Sequence, residues 1–99
     1  MKFKLKFNPE FYDDLIQAID WYNEQQPGLG SKFYSSVKKQ VTQLNATAFN
    51  YSIRYDDIRC LPLKTFPYMV HYQIDIENKI VKIEALFHTS RDPSVWKKR

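Results

Sequence analysis

The 99 residues, 43% hydrophobic and 16% aromatic, suffice for one packed core, so a second domain and a disordered chain are both excluded and residues 1–99 form a single domain. The formal net charge of +4 is divided as −2 over residues 1–24, +3 over 25–50 and +3 over 51–99, a balance that suits nucleic acid, the ribosome or an acidic protein without choosing among them. A lone cysteine, Cys60, excludes an internal disulfide, and no apolar run reaches the length of a signal segment or a membrane span; a cytoplasmic location and no membrane partner are expected.

Residues 2–7, KFKLKF, alternate lysine with Phe3, Leu5 and Phe7, the pattern of a half-buried first strand. Asn8 and Pro9 read as helix cap and first helical residue, and Leu15, Ala18, Ile19 and Tyr22 form an apolar stripe, which predicts a first helix over 9–25. Residues 25–30, QQPGLG, hold both glycines and mark a turn. Ser31 is the expected cap of a second helix lined by Phe33, Val37, Val41 and Leu44, packed back on the first as a hairpin. Residues 46–58 are weakly patterned, with a short strand near 52–55. A strand is expected over 59–64, with Pro62 at an edge or bulge because proline lacks a ladder donor.

Alternation resumes in Tyr68, Val70, Tyr72 and Ile74 and, after a turn at 77–79, in Val81, Ile83, Ala85 and Phe87. Strict alternation would put Met69, His71, Gln73, Lys82, Glu84, Leu86 and His88 on the opposite face, with both histidines on the same side. Asp92 and Pro93 resemble a second cap, opening a short basic helical turn over 93–99. The order β-α-α-β-β-β defines an α+β domain, a helical hairpin packed on a small antiparallel sheet.

Beyond the last strand, His88, Arg91, Asp92 and Trp96 cluster where loops on a rigid sheet carry functional groups. Arginine offers a fixed fork of donors to phosphate and histidine titrates near neutral pH, so His88 and Arg91 are candidate catalytic residues. Lys82, Trp96, Lys97, Lys98 and Arg99 are candidates for holding a macromolecular target. Each has a plainer reading as well: Asp92 caps a turn and Trp96 plugs the edge of the core. His71 reads as a partly buried, hydrogen-bonded group and Cys60 as a packing residue. Asp13, Asp14 and Asp20 read as a solvated helix face. Two histidines and one cysteine are too few for a zinc site, and both glycines belong to the turn, so neither a metal nor a nucleotide cofactor is expected.

Taken in order, the N-terminal strand, WYNEQQPGLGSKF, RCLPLKTFPYMVHYQI and HTSRDPSVWKKR resemble the RelE/ParE superfamily of toxins from bacterial type II toxin–antitoxin modules. The resemblance implies a β-α-α-β-β-β fold and a growth-inhibiting toxin neutralised by a cognate antitoxin, oligomeric only through that complex or as a weak homodimer. RelE-like members of this superfamily cleave mRNA on the ribosome without a metal, whereas ParE-like members poison DNA gyrase. Met69 stands where a nuclease member carries a strand arginine, and Trp96 near its C-terminal tyrosine, which favours the ParE-like branch. The alternative is a ribosome-dependent mRNA endonuclease in which Arg59, His88 and Arg91 replace the missing groups. A non-toxic module gripping nucleic acid through its basic tail is a third reading. Trp21 and Tyr22 are candidate anchors for a partner, with burial the expected fate of Tyr22.

Overall fold

The computed structural model of the chain describes residues 2–91, so the helical turn expected over 93–99 lies outside the described residues. Strand β1, Lys4–Phe7, leads through Asn8 into helix α1, Pro9–Gln25. The Asn8 side-chain oxygen accepts from the Glu10 N–H at 2.9 Å, and Pro9 fills the first helical position, where no N–H is needed. The buried face of α1 is Phe11, Leu15, Ala18 and Tyr22.

Helix α2, Leu29–Thr42, begins two residues before the expected cap. Gly28 closes the turn with φ +88°, a left-handed conformation that favours glycine. Gly30 lies inside α2 rather than in the turn and serves the helix crossing. A Cβ at this position would lie 2.5 Å from the Ile19 carbonyl oxygen, and the Gly30 N–H donates to Asn23 Oδ1 at 2.8 Å. After α2 the chain forms a short helix α3, Leu44–Thr47, and a 3-10 turn, Ala48–Asn50, where sequence pattern is weak. Then come β2, Ile53–Tyr55; β3, Ile58–Pro62; β4, Tyr68–Asp75; and β5, Ile80–His88.

The five strands form one sheet in the order β1-β5-β4-β3-β2. Its last four strands are antiparallel neighbours, but β1 pairs with β5 in parallel, so the sheet is mixed. Between β1 and β5 the chain runs through the helices and strands β2 to β4, more than the length that a crossover to a parallel neighbour requires. β2 pairs only with Ile58 and Arg59, so Pro62 falls where β3 has lost its outer neighbour and its missing N–H leaves no ladder bond unmade.

In β5 one residue too many breaks the alternation. His71 pairs with Ala85 and Tyr72 with Ile83, which leaves Glu84 as an extra residue. Val81 and Ile83 point to the helices, as strict alternation predicts, but beyond the bulge the inward residue is Leu86, while Ala85 and Phe87 turn to the far face. The expected pattern is thereby reversed for the second half of the strand.

The main core lies between hairpin and sheet, where Phe33, Leu44, Val70, Tyr72, Val81 and Ile83 are wholly buried. The Tyr72 hydroxyl donates to the Ala48 carbonyl at 2.6 Å, and burial pushes its pKa well above the usual phenol value, so it remains a donor. A second cluster on the far face joins Cys60, Met69, Ala85 and Phe87, with Tyr55 packed against it. Among the described residues, no helix is long and apolar enough to cross a membrane.

Candidate functional site

The site forms where β1 runs out. Past Phe7, strand β5 has no strand neighbour on that side, and its exposed ladder groups need other partners. The Asn8 N–H donates to the Ile83 carbonyl at 2.8 Å, and the Leu86 N–H donates to Asp14 Oδ2 of α1 at 3.0 Å. Asp14 therefore ties α1 to the sheet, which corrects its reading as part of a solvated helix face.

This tie holds one face of α1 over the end of β5. Asp14, Gln17, Ala18 and Trp21 share a helical face, and with Tyr68, Leu86, His88 and Arg91 they line a recess of roughly 200 Å³. Trp21 is half exposed at 52%, whereas Tyr22 beside it is buried at 8%, stacked against Phe33 and Phe66. Of the two candidate anchors, only Trp21 is presented to solvent.

His88 meets the Tyr68 ring edge-on at 5.1 Å. Its Nδ1 accepts the Ser90 N–H at 3.0 Å and lies 2.8 Å from the Ser90 hydroxyl. In the neutral ring this leaves the proton on Nε2, so that the edge not held by Ser90 offers a donor rather than a basic lone pair. Arg91 is exposed, with its guanidinium 5.5 Å from the centre of the Phe87 ring and its N–H donated to the His88 carbonyl at 3.0 Å. Burial raises the Tyr68 pKa, and the nearby Arg91 charge acts in the opposite direction.

His88 and Arg91 are thus brought together; Arg59 is not. It pairs with Tyr72, four residues along β4 from Tyr68, the partner of His88, so the two lie roughly 13 Å apart along the strand direction alone. The Arg59 guanidinium donates to the Tyr51 carbonyl and lies 5.4 Å from the centre of the Phe49 ring, anchoring the segment that follows α3. Lys82 pairs with Gln73 and Lys6 and faces away from the helices, outside the recess. Trp96, Lys97, Lys98 and Arg99, with Asp92, lie outside the described residues.

The two histidines are on opposite faces, because the bulge turns His88 toward the helices. His71 is fully buried on the far face, its Nδ1 3.0 Å from the Tyr55 hydroxyl and 3.6 Å from Cys60 Sγ. This is the hydrogen-bonded histidine that sequence suggests. Burial pushes the Cys60 thiol up to about 11, against a smaller opposing effect of Arg54, so the sulfur is a packing group rather than a thiolate. Among the described residues no three metal-ligating side chains cluster. Sequence gives Asp14, Gln17 and Tyr68 no place in a site; the spacing 14-17-18-21 around Trp21 is the signal for the helical part.

Residues 5–93 match the ParE toxin family of type II toxin–antitoxin systems, parDE. This chain belongs to the ParE toxin family. It is a ParE toxin of a toxin–antitoxin system, and its fold agrees with that membership. It superimposes on a chain of the chromosomal ParDE system of P. aeruginosa with TM-score 0.79 at 20% identity, covering 90% of this chain and 98% of that one. The isolated E. coli RelE toxin matches with TM-score 0.65 at 16% identity over 97% and 94% of the two chains. The RelBE2 toxin–antitoxin complex of Mycobacterium tuberculosis gives TM-score 0.65 at 16% identity over 89% and 99%. At such identities these structures establish the shared α+β fold. No curated protein matches the chain by sequence.

Proposed function

We propose that this ParE-family toxin acts in the cytoplasm by binding and poisoning DNA gyrase, without cleaving mRNA, and that Trp21, His88 and Arg91 contribute to the surface that meets the target. The observation that carries this reading is the dispersal of the candidate nuclease groups. RNA cleavage requires a base, an acid and cations converging on one phosphate. Here Arg59 is engaged with Tyr51 and Phe49 far from His88, and His88 Nδ1 is engaged by Ser90. Met69, at the position where a nuclease member would carry an arginine, is buried. A half-exposed tryptophan beside an exposed arginine has the character of a binding hot spot. Lys82, on the far face of the sheet, and Trp96, Lys97, Lys98 and Arg99, outside the described residues, are proposed as further target contacts.

A cognate antitoxin is the proposed partner. Exposed Tyr12, Ile16 and Tyr34 stand on the helical hairpin beside an apolar groove of roughly 260 Å³ bounded by Leu5, Phe7 and Val37. Lys38 on its rim suits an acidic amphipathic segment that folds as it binds. The deciding experiment is a supercoiling assay with purified gyrase. Inhibition that rises with toxin and disappears on adding the antitoxin supports the proposal. Full gyrase activity at excess toxin, together with codon-positioned mRNA cuts after induction, would reverse it.

A further inference from the structure

Between Glu24 and Asp56 the chain has no carboxylate, yet it carries Lys32, Lys38, Lys39 and Arg54. On α2 and its C-cap the residues Lys32, Ser36, Lys39 and Gln43 follow at steps of four, three and four, which places them along one face, away from the apolar groove that Lys38 borders. Lys32 and Lys39 are separated by seven residues, or roughly 10 Å of helix rise.

That face is concave. Ser35, Ser36, Lys39 and Gln43, with Lys64 and Thr65 from the β3–β4 connection, enclose a recess of roughly 290 Å³. Its floor is Gln40, 9% exposed, whose Oε1 accepts the Lys64 N–H at 3.0 Å and whose Nε2 donates to the Pro62 carbonyl at 3.3 Å. Gln40 therefore fixes the loop bearing Lys64 against α2, so the backbones that carry the two lysines stand on either side of the recess. The lining consists of hydroxyls, amides and ammonium groups, with neither a carboxylate nor an aromatic ring.

We propose that this face binds the phosphodiester backbone of duplex DNA without reading its sequence. Lys39, Lys64 and the nearby hydroxyls take one phosphate, and Lys32 meets another along the strand. Ammonium and hydroxyl donors are the groups that hold phosphate. A row of cations spaced along a helix fits a polymer of evenly spaced charges better than a single small anion. Single-stranded nucleic acid is held by stacking bases on aromatic side chains, and this recess offers none. The site is separate from the His88 and Arg91 recess, and the proposal does not depend on gyrase being the target.

The test is fluorescence anisotropy of a labelled duplex with the purified toxin as salt is raised. Wild-type protein should bind with Kd on the order of 10⁻⁴ to 10⁻⁶ M, and three lysine contacts at about −0.9 each predict a slope of log K against log salt of about −2.7. The double variant K39E/K64E should bind at least about tenfold more weakly with a slope near −1, and its circular dichroism and melting should be unchanged because both side chains are exposed. K39Q/K64Q, which removes charge and keeps hydrogen bonding, should move binding in the same direction and serves if the first variant misfolds. Several outcomes overturn the proposal: no duplex binding by wild type; affinity unchanged in both double variants; loss of binding only on replacing Lys97, Lys98 and Arg99; or a single strand of equal length bound as tightly as the duplex.

Discussion

In the first half of β5, residues 80–83, each side has a strand partner, with β1 on one side and β4 on the other; in the second half, residues 85–88, β4 remains but β1 is replaced by the Asp14 carboxylate of a helix. The first half is uniform ladder and sends Val81 and Ile83 into the core. The second half carries the bulge at Glu84, the reversal of inward and outward residues, and the recess of Trp21, His88 and Arg91. A candidate site arises here because an incomplete ladder leaves backbone groups that a helix must satisfy, and meeting that demand brings helix side chains over the strand end.

The sharpest challenge to this contrast is Leu86→Ala. Unbroken alternation would put Leu86 on the far face, whereas the bulge buries it at 3% exposure under the hairpin. Truncation should cost about 2–5 kcal/mol in urea denaturation. A surface-like loss below about 0.5 kcal/mol would contradict the bulged register.

Asp14→Ala removes the acceptor of the Leu86 N–H, and an unsatisfied buried donor should cost about 1–3 kcal/mol. Amide exchange at Leu86 should accelerate, while exchange at Val81, within the β1-paired half, should change far less. Equal acceleration at both positions would show that Asp14 holds the whole strand rather than its second half.

Arg91→Ala should change stability by no more than about 0.5 kcal/mol, and Trp21→Ala, which loses the edge-on contact with Tyr22, by about 1 kcal/mol, while both markedly reduce growth inhibition on induction. Undiminished toxicity with normal folding would remove the recess from the target surface.

The smallest effect is expected at the entrance to β5. The Asp75 carboxylate accepts from the Asn78 side chain at 2.8 Å and from the Asn78 N–H at 3.1 Å, and these bonds lower its pKa below the ordinary value. A lowered folded-state pKa contributes stability above the unfolded-state value, about 4, and loses it as pH falls through the folded value. Wild type should therefore exceed Asp75→Asn slightly at pH 6, and the gap should close toward pH 3. A gap that widens on acidification would show the sign to be wrong.

The helical hairpin, the Asn8 cap and the strands were legible in the residues because they express local preferences: a 3.6-residue apolar stripe, an alternation of two, and a proline at the first helical turn. Local pattern was also enough to mark His71 as a hydrogen-bonded group and to set Trp21 apart from Tyr22, but the complete burial of His71 comes from the second cluster on the far face. The family resemblance rested on four ordered segments and was confirmed over residues 5–93. Nothing local marks Glu84 as an extra residue, because a bulge exists only relative to the strand opposite.

The same limit explains the remaining differences. A solvated aspartate and one that closes a strand edge look alike on a helical wheel, so Asp14 acquires its role only when β1 stops short beside it. Gly30 belongs by sequence to a turn, yet it is required by the carbonyl of Ile19 on another helix. Whether Arg59, His88 and Arg91 share one phosphate depends on which strands pair and in what register. Periodicity and composition govern contacts made within a few residues, and so they yield the elements and the fold class. The relative placement of charged and aromatic groups from distant segments emerges only from long-range pairing, and the functional surface consists of that placement.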